Sequence, residues 1–240
     1  RFLPLLVVLF IGSGCAALIY EIVWLQLLSL IVGSSAISLG VLLATFMGGM
    51  CIGSISLSRF VSASQHPLKV YAFLELGIAA FGLLVLWLLP WVGGLYTSLG
   101  GPGMMGIAVR AVFSALFLLP PTIMMGATLP AIARWVEATP KGISWLGIFY
   151  GGNTFGAVLG CLLAGFYLLR LHDAAIATYA AVGLNVVVAV AGLALAGFMP
   201  YKRTDTAVKA EPARMAPGGR LVVLQLASSA HSIPILIVNR

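Results

Sequence analysis

Three ionisable residues, Glu21, Glu75 and Arg110, lie inside long apolar runs, and the amide Asn153 lies in a fourth. An ionisable side chain at membrane depth is costly and usually faces a partner, a cavity or an ion pathway. Glu21 therefore has two readings, a proton or cation site and a hydrogen-bonded structural carboxyl. Glu75 and Arg110 need partners if they are buried. We expect these two near opposite ends of their helices, so a direct ion pair between them is not expected. These four residues form the candidate intramembrane polar site.

Other kinds of chemistry have little support in the sequence. Cys15, Cys51 and Cys161 lie in apolar runs, and the chain contains no CxxC or Cys/His spacing that predicts a metal site. No glycine-rich phosphate-binding motif is present. Asp173 and Asp205 are the only aspartates, which leaves little for paired-carboxylate catalysis. We expect no catalytic residues, no metal and no cofactor in this chain.

The composition indicates an integral membrane protein. Of the 240 residues, 61% are hydrophobic and 8% are charged, whereas a soluble domain carries about 25% charged residues. About 20 apolar residues span the hydrocarbon layer as a helix, and the sequence lacks the alternating pattern of barrel strands. The predicted fold class is therefore all-α, and the lipid bilayer is the first expected partner.

Six apolar runs predict six transmembrane helices, at roughly 3–31, 37–58, 69–92, 107–135, 143–169 and 174–198. The first run is too long for one perpendicular crossing, so it either tilts or changes direction near Gly12-Ser13-Gly14. The segment from Gly93 to Gly106 is predicted to be a loop. The pair Pro120-Pro121 removes two backbone donors and is predicted to bend or interrupt the fourth helix.

Positive charge predicts the orientation. Basic residues lie in the second connection, in the fourth connection and after the sixth helix: Arg59, Lys69, Arg134, Lys141, Lys202, Arg203, Lys209, Arg214 and Arg220. The positive-inside rule then places both ends of the six-helix unit in the cytoplasm. The net charge of +7 therefore reflects membrane orientation and a tail that meets anionic lipid, and nucleic acid is not an expected partner.

Small residues repeat every four positions on two predicted helices. The fifth carries Gly152, Gly156 and Gly160, and the second carries Gly48 with Gly49 and Gly53 alongside. Such stripes let helix backbones approach closely in a membrane. We interpret them as helix-packing surfaces, and the alternative is that they line a substrate path. Other membrane subunits or a second copy of the chain are expected partners.

The chain divides into three parts. Residues 1–200 form the transmembrane domain, and residues 201–220 are polar and read as a cytoplasmic linker. Residues 221–240 are apolar again, and Leu221-Val222-Val223-Leu224 repeats Leu6-Val7-Val8-Leu9. This weak match has two readings, chance similarity and the start of a truncated second repeat.

Several segments together resemble the membrane part of the bacterial spermidine-synthase-like proteins, in which a major-facilitator-like half is fused to a spermidine synthase domain. The segments are residues 13–24 (SGCAALIYEIVW), 44–49 (ATFMGG), 74–77 (LELG), 125–130 (MGATLP) and 150–157 (YGGNTFGA). The resemblance covers about residues 3–198 and implies a six-helix bundle similar to half of a major-facilitator transporter. It also implies the bacterial inner membrane and a link to polyamines.

The chain departs from that family in two respects. Gln26 stands where the family usually has a basic residue, and the soluble aminopropyltransferase domain has no counterpart in these residues. Three functions stay open: a scaffold, anchor or accessory subunit of a membrane complex, a half-transporter for a small cation or polyamine, and the membrane module of a polyamine aminopropyltransferase. The chain itself is not expected to be an enzyme.

Overall fold

A computed structural model describes residues 3–32, 35–61, 65–99, 104–137, 142–199 and 201, together with the short segments 223–224 and 235–236. Within the described residues the chain is helical apart from one pair of two-residue strands. The predicted linker beyond Tyr201 and most of 221–240 lie outside the described residues, as do Ser64 and Lys141.

The helices are α1 (Leu3–Val32), α2 (Ser35–Phe60), α3 (Pro67–Leu99), α4 (Met104–Glu137), α5 (Gly142–Leu162) and α6 (Ala174–Phe198). A π-helical segment, Leu163–Leu168, and a last turn, Leu169–Leu171, extend α5. The strands β1 (Val223–Leu224) and β2 (Ile235–Leu236) pair antiparallel. Six helices in the described part of the chain are long and apolar enough to cross a membrane, as a multi-pass membrane protein requires.

The predicted helix boundaries hold for α2 and α6 but fail between α3 and α4. Gly93 to Gly106 was predicted to be a loop, and this is wrong because α3 continues to Leu99 and α4 begins at Met104. Glycines in the helical parts of this stretch are tolerated because a membrane offers the backbone no water as an alternative hydrogen-bond partner. Of the two alternatives for α1, a tilt and a change of direction near Gly12-Ser13-Gly14, the continuous helix Leu3–Val32 favours the tilt.

The proline pair does not interrupt α4, which contains Pro120, Pro121 and Pro130 within one continuous helix. The Thr122 hydroxyl lies within hydrogen-bond distance of the carbonyl oxygens of Leu118 (3.0 Å) and Leu119 (2.9 Å). Those two carbonyls are the ordinary i−4 acceptors of the Thr122 and Ile123 amides, whereas Pro120 and Pro121 remove the amide donors to the carbonyls of Leu116 and Phe117. Because α4 continues through the pair, the predicted interruption is wrong.

Interhelical contacts fix the direction of each helix. Gly156 and Gly160 of α5 pack on Ile11 and Cys15 of α1 in the same order along both helices, so α1 and α5 are parallel. By the same test, α2 is parallel to α4. The α3–α6 contacts run in opposite order, since Gly192 packs near Ala72 while Met199, after α6, lies against His66, before α3. The helices thus alternate in direction, as successive membrane crossings must.

The six helices form two triplets in chain order, one of α1, α2 and α3 and the other of α4, α5 and α6. Each helix packs mainly on helices of the other triplet. The first helix of each triplet packs against the second helix of the other, giving the pairs α1–α5 and α4–α2. Each also packs against the third helix of the other triplet, giving α1–α6 and α4–α3, and the two third helices pack together. Three crossings is an odd number, so the second triplet has the opposite orientation to the first.

The two main crossings are built from the same residues. The pattern Phe-X-Gly-Gly-X-X-X-Gly occurs at residues 46–53 in α2 and 149–156 in α5. In one crossing a side chain at Gly14 would clash with the carbonyl oxygen of Asn153, and one at Gly156 with that of Ile11.

The other crossing repeats this geometry at the equivalent positions. A side chain at Gly126 would clash with the carbonyl oxygen of Met50, and one at Gly53 with that of Ile123. Ile11 and Gly14 have the same spacing as Ile123 and Gly126, which identifies the crossings as copies of one element.

Candidate functional site

A buried polar cluster joins α1 to α3. The Ser13 hydroxyl on α1 donates to Oε1 of Glu75 on α3 at 2.5 Å. Glu75 is 0% exposed, and its Oε2 has no hydrogen-bond partner among the described residues. This distance lies at the short end of the range for O–H···O hydrogen bonds.

Two tyrosines border the carboxyl. The Tyr71 side chain is close enough to interact with both Ser13 and Glu75, and its hydroxyl lies 3.4 Å from the carbonyl oxygen of Leu9. Tyr20 also interacts with Glu75, and its buried hydroxyl has no partner among the described residues. The cluster therefore contains two buried oxygen atoms, Glu75 Oε2 and the Tyr20 hydroxyl, that the described residues leave unpaired.

Helical spacing explains how these side chains converge. Ser13 and Tyr20 are seven residues apart, about two turns, so they share one face of α1, while Tyr71 and Glu75 share one face of α3. The helices are parallel, with Ser13 beside Glu75 and the Tyr20 ring beside Gly82. Gly82 leaves the room for that ring, since a side chain there would meet it.

Aromatic packing encloses the cluster on both sides. Tyr71 stacks on Phe10 with ring centroids 5.3 Å apart, and Phe10 makes an edge contact with Phe149 of α5 at 5.5 Å. Tyr20 stacks on Trp24, also at 5.3 Å. These large buried rings fix the rotamers of the polar groups and separate them from the lipid-facing surface.

The structure brings together only part of the predicted site. Asn153 packs against Gly14, so Asn153 and Glu75 meet α1 at adjacent residues, 14 and 13. Glu21 is partly buried and lies eight residues beyond Ser13, about 12 Å along the helix. The side chain of Arg110 lies outside the described part of the structure. Sequence reasoning thus located Glu75 correctly in an apolar helix but treated Glu21 as the more informative carboxyl.

The predicted packing glycines also separate into two groups. A side chain at Gly152, Gly156 or Gly160 would meet α1. On α2 the close contacts belong to Gly49 and Gly53 instead. A side chain at Gly48 would meet nothing within 4 Å.

A second set of contacts lies at one end of the bundle. Arg134 at the end of α4 donates to the carbonyl oxygens of Val61 (3.1 Å) and Leu57 (3.3 Å) at the end of α2. His66 Nε2 lies 2.7 Å from the carbonyl oxygen of Met199, which follows α6. The basic second connection, the end of α4 and the end of α6 therefore share one face, as the charge pattern predicted.

The polar atoms of the Glu75 cluster are all oxygens, which belong to hydroxyl groups and to one carboxyl group. Among the described residues no group of three or more His, Cys, Asp or Glu side chains could hold a metal ion. The chemistry available to the cluster is hydrogen bonding and the binding or release of a proton.

Sequence analysis missed Ser13, Tyr71 and Tyr20 as members of the cluster. The available signal was their helical spacing, since Tyr71 precedes Glu75 by four residues and Ser13 precedes Tyr20 by seven. It also missed the repeated Phe-X-Gly-Gly-X-X-X-Gly pattern, which would have related α2 to α5.

The fold and the contacts define a class: a polytopic helical protein with six candidate membrane spans in the described residues and one sealed polar cluster. No family model, curated protein or solved structure matches the chain.

Proposed function

We propose that this chain is a scaffold, anchor or accessory subunit that acts by packing against other membrane proteins or a second copy of itself. The observation that carries the proposal is that one glycine of each Phe-X-Gly-Gly-X-X-X-Gly pattern faces outward. Gly48 of α2 and Gly151 of α5 occupy the same position in that pattern, and a side chain at either meets nothing within 4 Å. Glycines that admit another helix backbone, with none of the described helices over them, fit a surface made for a neighbour.

The sealed interior supports the same proposal. Glu75, Thr122, Thr178 and Asn185 are buried within the bundle. A subunit whose polar groups are buried inside its own bundle, and not presented on an outward face, is suited to a structural role. The outward faces of α2 and α5 are apolar and include exposed Ile52, Ile55, Phe155 and Val158.

A half-transporter for a small cation or polyamine is the second candidate. Two specific observations favour it: the inverted exchange of two helix triplets, which is how each half of a major-facilitator transporter is built, and the buried carboxyl of Glu75. The triplet exchange also supports the resemblance to half of such a transporter. A six-helix half needs a second half to enclose a path, so this function also requires a partner on an outward face.

The membrane module of an aminopropyltransferase rests on the resemblance to the spermidine-synthase-like family alone. We infer a bacterial inner-membrane location on the same grounds. Because every long described helix is a candidate membrane span, the catalysis would have to come from a separate domain.

The outward glycines provide the test of the scaffold proposal. Gly48→Leu and Gly151→Leu should shift the protein to smaller assemblies in size-exclusion chromatography in mild detergent, without changing the unfolding temperature of the chain. Gly165→Leu is the matched control, since Gly165 is also exposed with nothing within 4 Å but lies in the π-helical segment of α5. A wild-type chain that runs as a monomer in mild detergent and in native membranes would contradict the proposal.

Transport is tested separately with Glu21→Gln. We expect no cation-driven uptake by wild-type protein in proteoliposomes, and unchanged assembly of Glu21→Gln. Robust uptake by the wild type that Glu21→Gln loses would contradict the scaffold proposal and support the half-transporter.

Orientation has its own test. With the basic connections in the cytoplasm, a cysteine at Gln65, which is exposed, should resist an impermeant maleimide added to intact cells and react after permeabilisation. Reaction in intact cells would reverse the proposed topology.

A further inference from the structure

We propose that the Glu75 carboxyl is a proton-binding site shared by α1 and α3, and that its protonation determines how firmly these two helices are joined. The inference is independent of the scaffold proposal, since it concerns the interior of a single chain. It rests on the burial of the carboxyl, on its hydrogen bonds and on the absence of such a group from the second triplet.

The first argument is the lack of a nearby positive charge. Among the described residues, the groups close to the carboxyl are the hydroxyls of Ser13 on α1 and Tyr71 on α3. The Tyr20 hydroxyl of α1 interacts with it electrostatically from beside Gly82. A carboxylate in a water-free interior is costly without a cation or several donors. The described contacts supply one well-formed hydrogen bond, to Oε1, and leave Oε2 without a partner.

The charged and titratable groups of the other helices packed on α3 lie elsewhere. Arg134 of α4 is held by carbonyl oxygens at the end of α2, and Tyr179 of α6 is half-exposed. Arg110 precedes Met124 by fourteen residues, about 21 Å along α4, and Met124 is the residue that packs on Gly77 beside Glu75. An arginine side chain cannot cross that distance.

The second argument concerns the size of the ligand. The Ser13 hydroxyl oxygen and Glu75 Oε1 are 2.5 Å apart, which leaves no room for a metal ion between them. Sodium or calcium needs a shell of several oxygen ligands around the ion, whereas a proton needs one carboxyl oxygen and one acceptor. Oε2 supplies the first, and a neighbouring tyrosine oxygen can supply the second.

The third argument is the comparison inside the molecule. The crossing that contains Ser13 is repeated in the second triplet, but Met125 stands at the position equivalent to Ser13. No Asp or Glu occurs in α6, the counterpart of α3. The crossing therefore forms without a buried carboxyl, and Glu75 has a role that the architecture alone does not require.

Protonation changes the number of hydrogen-bond donors in the Glu75 cluster, and this number decides how α1 and α3 are joined. With the proton on Oε2, Ser13 donates to Oε1 and the carboxyl donates to a tyrosine oxygen, so α1 and α3 stay joined and dry. When the proton leaves to solvent, Oε2 becomes a second acceptor. A tyrosine hydroxyl must then turn toward it, or the helices must part to admit water. Elsewhere α1 packs mainly on α5 and α6, so this polar contact joins α1 to α3 together with only a few others, the Phe10–Tyr71 stack and the Tyr20 ring beside Gly82.

The experiment is infrared spectroscopy of the full chain in lipid nanodiscs over a pH series. We expect a carboxylic-acid C=O band at neutral pH that disappears at alkaline pH and is absent throughout in Glu75→Gln. Ser13→Ala should retain the band but shift it to higher frequency, because the hydrogen bond to Oε1 is lost. Glu21→Gln is the matched control and should leave this band in place.

Hydrogen exchange gives the conformational readout. Amide exchange around Ser13 should accelerate as the band disappears in the wild type, and stay slow in Glu75→Gln, which remains neutral at every pH. An exchange rate that does not follow the band would overturn the coupling.

Three spectroscopic results would overturn the proton site: no band assignable to Glu75 at any pH, a band that persists unchanged into alkaline solution, and a band that sodium removes at constant pH. The first indicates a permanent carboxylate, the second a permanently neutral structural carboxyl and the third a metal-ion site.

Discussion

The α1–α5 and α4–α2 crossings share one backbone geometry but differ in the chemistry beside them. In both, a glycine on the first helix of one triplet lies against a carbonyl of the second helix of the other. Next to Gly14 stands Ser13, which binds a buried carboxyl, and next to Gly126 stands Met125, which packs among apolar side chains. The difference teaches that close helix approach here depends on missing side chains, and that the polar cluster is an addition to one copy.

The largest effects should come from filling the crossings. Gly156→Leu and Gly53→Leu each place a side chain against a backbone carbonyl, and overpacking of this kind costs about 1–3 kcal/mol. The two variants should lose similar amounts of thermal stability in detergent, because the crossings are copies. Gly151→Leu and Gly48→Leu are the controls, since both face open space. A large loss for one crossing and none for the other would break the equivalence.

A smaller effect is expected from the polar group that distinguishes the triplets. Ser13→Ala removes the hydroxyl that donates to Glu75 and should destabilise the chain by about 1–3 kcal/mol, the cost of a buried acceptor left unpaired. Ser114→Ala in the second triplet is the matched control, because the buried Ser114 hydroxyl has no partner among the described residues. Equal losses in thermal unfolding for the two variants would show that the Ser13 hydrogen bond contributes nothing.

The triplets also differ where their first helices end. The last turn of α4 carries Arg134, which donates to two α2 carbonyls, whereas the last turn of α1 has no basic residue. Arg134→Ala should cost about 1 kcal/mol, since a partly exposed guanidinium at the membrane end is screened by water. Arg134→Lys should recover part of the loss measured by chemical unfolding. An unchanged Arg134→Ala protein would mean that water replaces both hydrogen bonds.

The smallest effect is predicted for the other carboxyl of the first triplet. Glu21 is partly exposed and about 12 Å along α1 from Ser13, so Glu21→Gln should change stability by no more than about 0.5 kcal/mol. Thermal unfolding of Glu21→Gln beside Ser13→Ala measures the contrast directly. A loss of stability for Glu21→Gln as large as that for Ser13→Ala would indicate that the Glu21 carboxyl stabilises the chain as much as the contact between Ser13 and Glu75.

The number of helices and most of their positions follow from apolar run lengths, because the bilayer imposes one requirement on every span. The ends of α3 and the course of α4 did not follow. Glycine and proline break helices in water, but here the run Gly93-Gly94 stays helical and α4 continues through Pro120-Pro121.

The site was harder to predict than the fold, because its members come from two helices. Glu75 was found as a charge in an apolar run, a signal contained in one segment. Its partners Ser13 and Tyr20 belong to α1, and only the parallel packing of α1 and α3 brings them to it. The same limit applies to Asn153, whose contact with Gly14 depends on the α1–α5 crossing.

The exchange of helices between triplets has a consequence for biosynthesis. Chains enter the membrane from the N-terminus onward at about 5–20 residues per second, and α1 is made long before its partner α5. Its glycine face must therefore remain in lipid, or against the insertion machinery, while three more helices are synthesised, whereas Ser13 waits only for Glu75 of α3. Neither triplet can finish packing alone, so α2 likewise waits for α4. The native contacts of this protein close late and nearly together, and a ribosome stalled before α5 would leave α1 without the helix it packs on most closely.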